Sequence, residues 1–206
     1  MSKVLHIQAS PRGDRSASLT AAKTFLSAYH AKHPGDTIET LDLWHAKLPA
    51  FDGDTINAKY SVMHGQNPTG AEAAAWGEVV KIVEHFKSAD KFVFSLPMWN
   101  FSIPYILKHY IDLLVQPGLT VGFAPDKGYW GLVTGKPAVA IYARGGDYTP
   151  GTPMEGYDMQ SKYLKAVLGF IGITDLKDIF VEGTVANKDA ALAKAKTAGD
   201  AILATF

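Results

Sequence analysis

Lys91 to Ile111, KFVFSLPMWNFSIPYILKHYI, is the stretch whose reading decides the fold. Phe92 to Leu96 is a short apolar run with no helical spacing and reads as a buried strand. Pro97-Met98-Trp99-Asn100-Phe101 turns the chain. From about Ser102 the apolar positions Ile106, Leu107, Tyr110, Ile111 and Leu114 fall on one side of a helix that Pro117-Gly118 ends. Strand, tight aromatic turn and helix in that order put the turn at the carboxyl end of a strand, where open α/β sheets hold planar ligands.

The rest of the chain repeats the alternation. Val4 to Gln8 is a first strand, followed by the polar loop Ala9-Ser10-Pro11-Arg12-Gly13-Asp14-Arg15-Ser16-Ala17-Ser18. Leu19, Ala22, Phe25, Leu26 and Tyr29 then mark a helix that His33-Pro34-Gly35 stops, and Ile38 to Leu43 alternates as a second strand. Trp44 to Thr69 holds Pro49, Gly53, Gly65 and Pro68 and predicts a long excursion with short helices, in which Asp52 and Asp54 read as solvated turn residues. A helix over Ala71 to Lys87 leads back to the deciding strand. Beyond Pro117, Thr120 to Phe123 and Gly131 to Thr134 flank a Pro-Asp-Lys-Gly turn and suggest a small β-hairpin. Pro137 to Ala143 is a fourth sheet strand, Gly156 to Phe170 a helix, Leu176 to Val181 a fifth strand and Lys188 to Leu203 a last helix. The pattern predicts α/β architecture in one domain, residues 1–206. It is a flavodoxin-like three-layer sandwich with a five-stranded parallel sheet in the order 2-1-3-4-5 and helices on both faces.

Composition narrows the function. Twenty Lys and Arg balance twenty Asp and Glu, which gives no case for nucleic acid or an anionic membrane as partner. The absence of cysteine removes thiol catalysis and thiolate metal sites, and suits a cytoplasmic protein. No apolar run reaches the roughly 20 residues of a membrane span. The seven histidines show no metal-ligand spacing, and there is no Gly-x-Ser-x-Gly elbow. No metal is expected.

In the 2-1-3-4-5 order the loops after the first and third strands flank one crevice. Ser10, Ser16 and Ser18, with the amides of the helix start and Arg12 and Arg15 nearby, make a phosphate cradle, although Ser16 reads equally as a helix cap. The loop lacks the glycine fingerprints of a Rossmann dinucleotide fold and of a nucleotide triphosphatase. Pro97 to Phe101 offers apolar surface and backbone groups suited to an isoalloxazine, and reads equally as an aromatic turn packed into the core; Arg144-Gly145-Gly146 ends the fourth strand beside it, where glycine lets backbone approach a ligand closely or simply makes a turn.

Taken together, Ser16-Ala17-Ser18, PMWNFSIPYILKHYID, GLVTGK, ARGG and GFIGITD resemble the FMN-dependent NADH-azoreductases, flavodoxin-like NAD(P)H:quinone oxidoreductases, over nearly the whole length. The resemblance implies that Ser10, Ser16, Ala17 and Ser18 bind the FMN phosphate. It implies that Pro97, Met98, Trp99, Asn100 and Phe101 hold the ring, and that Ala143, Arg144, Gly145 and Gly146 meet its pyrimidine edge. Trp99, Ala17 and Ala143 depart from the usual tyrosine, longer polar residue and serine; the tryptophan still offers a stacking surface and the alanines backbone contacts. No side chain is expected to be catalytic, because the flavin carries the chemistry. The implied reaction passes two electrons from NADH or NADPH through FMN, ping-pong, to quinones and to azo compounds. A twofold homodimer with active sites at the interface is implied, with Phe123 walling the acceptor site, and Lys59 is a candidate for the NADPH 2′-phosphate. A flavodoxin-type electron carrier and FAD in place of FMN are the competing readings.

Overall fold

The computed structural model describes residues 1–206. β1 (Lys3–Gln8) leads through α1 (Ala17–Lys32) to β2 (Thr37–Asp42), and α2 (Gly53–Met63) and α3 (Gly70–Lys87) fill the crossover to β3 (Lys91–Pro97). After α4 (Tyr105–Leu114) come a hairpin, β4 (Val121–Ala124) and β5 (Gly128–Gly131), and then β6 (Ala138–Ala143), α5 (Met159–Ile171), β7 (Leu176–Val181) and α6 (Lys188–Ile202). The parallel sheet runs β2-β1-β3-β6-β7, the expected order once the hairpin strands are set aside. Its register levels the carboxyl ends: Gln8 lies opposite Ser95, and Pro97 opposite Ala143, which in turn faces Val181. The loops after β1, β3, β6 and β7 therefore leave from one edge.

Alternate strand residues divide between two cores because successive side chains in a strand point to opposite faces. Leu5, Ile7, Phe92, Phe94 and Tyr142 pack with Val83, Leu107 and Leu168 of α3, α4 and α5. Val4, Val93, Ile141 and Ile179 pack with Ala22, Phe25 and Ala195 of α1 and α6. Each large apolar side chain so buried contributes about 1.5–3 kcal/mol. The stacking of Phe86 on Phe92, with centroids 4.2 Å apart, joins α3 to the deciding strand.

Four local expectations need correction. The Trp44–Thr69 excursion contains one eleven-residue helix, and Asp52 is its N-cap rather than a free turn residue, accepting from Thr55 N–H at 3.2 Å. The second hairpin strand is Gly128–Gly131, directly after the turn. The residues beyond it are drawn into the core, where Val133 is buried and donates its N–H to the Ile171 carbonyl at 2.8 Å. Helix α4 starts at Tyr105 rather than Ser102 because Pro104 is extended, with ψ 141°, and proline disfavours a helical Ile103 before it. Helix α5 starts at Met159 rather than Gly156, because Asp158 caps it by accepting from the amides of Gln160 at 3.1 Å and Ser161 at 2.9 Å.

The hairpin is fastened to the far end of α5. A Cβ on Gly131 would lie 2.2 Å from Gly172 N, so only glycine allows the two backbones to meet there. No helix is long and apolar enough to cross a membrane.

Candidate active site

The loop after β1 is drawn tight at both ends. Ala9 donates its N–H to the Ser95 carbonyl at 2.9 Å and accepts at its own carbonyl from the Trp44 indole at 3.1 Å. A single 3₁₀ turn, Gly13–Arg15, then delivers Ser16 to the N-cap of α1, where its hydroxyl accepts from Leu19 N–H at 3.3 Å. The helix-cap reading of Ser16 is thus correct, and it does not exhaust the residue: Ser16 Oγ also lies 3.1 Å from Ser18 Oγ, and Ser10, Ser16 and Ser18 are all buried. The Ala17 and Ser18 amides head the helix with no carbonyl one turn earlier to receive them, and the helix dipole makes that end favourable for an anion. Arg12 and Arg15 are exposed on the rim. Lys188 adds a third cation, reaching from α6 to the Arg15 carbonyl at 3.3 Å.

Beneath this loop His6 is buried, with Nε2 2.9 Å from Ser95 Oγ. Burial lowers its pKa from 6.5 to about 4, so the ring is neutral at pH 7.

The turn after β3 begins where Met98 N–H donates to the Ala143 carbonyl at 2.8 Å, which ties it to β6. Trp99 and Ser102 exchange backbone hydrogen bonds of 2.9 and 3.0 Å across Asn100 and Phe101. Those two central residues have φ of 47° and 69°, and no other non-glycine residue in the chain has positive φ. Asparagine tolerates this region. For a phenylalanine it costs on the order of 1–3 kcal/mol, which the surroundings must offset. The Phe101 carbonyl is held by Met159 N–H at 3.0 Å, and the rings of Phe101 and Tyr157 lie 5.0 Å apart. Trp99 packs 5.8 Å from Trp44, half-buried, at the foot of a hollow of about 550 Å³ that Phe51, Tyr105 and Tyr163 also line.

Of the residues after β6, Gly145 and Gly146 are exposed and Ala143 is half-buried. The Gly145 and Gly146 carbonyls accept from Val185 and Gly183, at 3.4 and 3.0 Å, and neither residue's own amide donates a hydrogen bond within the chain. Arg144 stands differently. Its side chain is buried and turned into the fold, with Nε donating to Gln160 at 3.0 Å, Nη1 to Glu182 at 2.9 Å and Nη2 to Asp158 at 2.8 Å. The guanidinium lies 4.4 Å over the Phe180 ring. Its backbone N–H and carbonyl are taken by Val181 and Thr184.

Phe123 is not brought to this edge. It sits on the hairpin against Tyr129, centroids 4.8 Å apart, and Tyr129 lies 5.8 Å from Phe170 near the end of α5. The eleven-residue rise from Met159 to Phe170 is about 17 Å along the helix. Phe123 and Lys59 line a second hollow of about 820 Å³ there, with Tyr60, Met63 and Trp130, and burial lowers the Lys59 pKa.

The buried Ser10, Ser16 and Ser18 and the strained Asn100–Phe101 turn thus follow the adjacent strands β1 and β3, and the Gly145–Gly146 loop follows β6, next along the same sheet edge. Residues 2–203 match the profile of a family described as having the flavodoxin-like fold. An FMN-dependent NADH:quinone oxidoreductase of Nitratidesulfovibrio vulgaris (strain DP4) is 50% identical over 195 residues, 94% of this chain and 93% of its own. The FMN-dependent NADH:quinone oxidoreductase of Desulfotalea psychrophila (strain LSv54 / DSM 12343) is also 50% identical, over 95% of this chain and 93% of its own. The chain belongs to this flavodoxin-like oxidoreductase family. Among solved structures, an azoreductase from Bacillus anthracis str. Sterne superposes with TM-score 0.91 at 32% identity over the whole of both chains. An FMN-dependent NADH-azoreductase from Bacillus anthracis str. Ames Ancestor, solved in complex with FMN, gives 0.87 at 31% identity over 99% of this chain and 98% of its own.

For this oxidoreductase family member the sequence reading missed the residues that brace the loops. Asp158, Gln160 and Glu182 hold Arg144, and Trp44 and Lys188 clamp the cradle loop. Glu182 reaches Arg144 because β7 pairs with β6, and Asp158 reaches it as the cap of α5, so only the folded chain brings the two carboxylates to one arginine.

Proposed function

We propose that the whole chain, one domain with its sheet as the middle of three layers, is an FMN-dependent NADH:quinone oxidoreductase that works by a ping-pong cycle and also cleaves azo bonds to amines. The observation that carries this reading is the meeting, at one sheet edge, of the buried Ser10, Ser16 and Ser18 hydroxyls with the left-handed Asn100–Phe101 turn. Bound FMN would supply a two-electron carrier between NADH and the acceptor, one cycle for a quinone and two for an N=N bond.

The residues fit that group. Ser10, Ser16, Ser18 and the Ala17 and Ser18 amides would hold the phosphate, with the helix dipole and the rim cations Arg12, Arg15 and Lys188 matching its charge. Pro97, Met98, Trp99, Asn100 and Phe101 would carry the ring. The Gly145 and Gly146 amides would stand at its pyrimidine edge beside Ala143, where fixed donors stabilise negative charge without reorganising. Arg144 serves there through the loop it braces. No side chain need transfer a proton, and the buried His6, neutral at pH 7, has no part in one.

The same reading makes the enzyme a twofold homodimer with shared sites, acting in the cytoplasm where NADH is available. Phe123 stands beside the Phe170 end of α5, and the Met159 end, at its own chain's crevice, is about 17 Å away along that helix, so Phe123 would wall the acceptor site of a second copy. Tyr60, Phe123, Tyr129, Trp130 and Phe170 are all exposed around the hairpin hollow, more apolar surface than a monomer usually leaves in one patch. The deciding experiment is to purify the protein, record its visible spectrum, identify the released flavin by chromatography and measure NADH:benzoquinone turnover. FMN with rapid turnover is expected. FMN without turnover would make it an electron carrier, and no flavin would overturn the reading.

A further inference from the structure

The guanidinium of Arg144 is joined directly to the start of the loop after β7 and to the cap of α5, and through them to the loops after β6 and β3. Its Nη1 bond to Glu182, at 2.9 Å, holds the start of the loop after β7, and the same Glu182 oxygen accepts from Tyr148 N–H at 3.2 Å, just beyond Gly146. The loop after β7 in turn carries Gly183 and Val185, whose amides hold the Gly146 and Gly145 carbonyls. Its Nη2 bond to Asp158, at 2.8 Å, holds the cap of α5, and the first residue of that helix, Met159, grips the carbonyl of the strained Phe101. One buried cation thus spans two carboxylates, and each carboxylate anchors one of the two loops.

We propose that Arg144 is a positioning residue that locks the Gly145–Gly146 amides and the Phe101 turn into one frame, and so sets how strongly the protein favours reduced over oxidised cofactor. This rests on the FMN reading above. Amide donors stabilise charge gathering at a ring edge only when they are already aimed at it, since reorienting them uses up the gain. The planar fork of arginine satisfies three acceptors in fixed directions, and a lysine, as a flexible point charge, does not.

The test uses Arg144→Lys, which keeps a buried positive charge, and Asp158→Asn, which keeps an oxygen for the helix cap and removes the charge from one arm. In the flavin-free protein, amide hydrogen exchange should quicken tenfold or more at Met159, Tyr148 and Thr184 while β1 and β3 stay protected. In the loaded enzyme, affinity for reduced FMN should fall about tenfold more than for oxidised FMN, which moves the two-electron midpoint about 30 mV more negative. Exchange within twofold of wild type at those amides, an unchanged midpoint, or a uniform rise across the whole sheet would each overturn the proposal. A wild-type protein that binds no FMN would defeat the functional reading instead, and the exchange measurement would still decide whether Arg144 holds the frame.

Discussion

Replacing Ser16 by aspartate separates the helix cap that this residue makes from the phosphate contact proposed for it. Its hydroxyl caps α1 and stands 3.1 Å from Ser18 Oγ in the cradle. Aspartate caps a helix as well as serine does, and its charge suits the positive end of the dipole by about 0.3–1 kcal/mol, which offsets part of the cost of placing a carboxylate at a buried position. The flavin-free variant should therefore stay folded, with the part of the burial cost that the dipole does not offset lowering its stability by on the order of 1–3 kcal/mol. Against a bound phosphate the same carboxylate would stand about 4 Å from a like charge. At an effective dielectric of about 20 that is worth about 4 kcal/mol, roughly a thousandfold in affinity.

Flavin titration followed by fluorescence quenching reads this directly, with riboflavin, which lacks the phosphate, as the control. Riboflavin should bind the variant and the wild type alike. Ser16→Ala gives the converse pattern, losing about 1 kcal/mol of stability with the cap and much less FMN affinity. An aspartate variant that keeps FMN at wild-type affinity, or one that loses riboflavin equally, refutes the cradle.

Further outcomes follow from other parts of the molecule. A Cβ on Gly145 would come 3.2 Å from Val185 Cγ2, a side chain 88% exposed and free to yield; Gly145→Val should fold normally and slow reduction by NADH at least tenfold in stopped flow, and an unaltered rate would remove this loop from the ring. Burial sets the His6 pKa at about 4 against its usual 6.5, so the unfolded chain binds more protons between those values. Stability is then complete above pH 6.5 and falls by about 3 kcal/mol as pH drops to 4. Urea unfolding at pH 7 and 4.5 should show a smaller drop for His6→Gln, and equal drops would refute the assignment. Phe123→Ala should raise the quinone KM severalfold with FMN content unchanged. A fully active monomer in sedimentation would defeat both that role and the shared site.

The sheet was legible because its central strands are apolar runs and its second strand alternates, each with a turn signal behind it, and a run such as Phe92 to Leu96 leaves a parallel, doubly covered strand as its simplest reading. The hairpin was half legible. Gly128–Gly131 has a glycine at each end and exposed rings between, so it carries no alternation, and the glycine's purpose at Gly131 lies in its contact with Gly172, 41 residues away. The cradle serines could be named from their loop, but not the reach of Lys188 across 173 residues to the Arg15 carbonyl. Arg144 is the instructive case. The resemblance groups it with Gly145 and Gly146 at the pyrimidine edge, and the alternation that buries Tyr142 and the pairing of β6 with β7 turn its side chain inward to Asp158 and Glu182. A sequence motif identifies which residues travel together; it does not say which of them face the ligand and which hold the others in place. Strain at Phe101 makes the same point from the other side: a φ of 69° at a phenylalanine persists only because bonds from Trp99, Ser102 and Met159 close around it, and two of those three are its neighbours in the turn. The third comes from Met159, 58 positions beyond Phe101, on the helix that Arg144 anchors, so the most distinctive pentapeptide in the chain depends for its shape on residues far along the sequence.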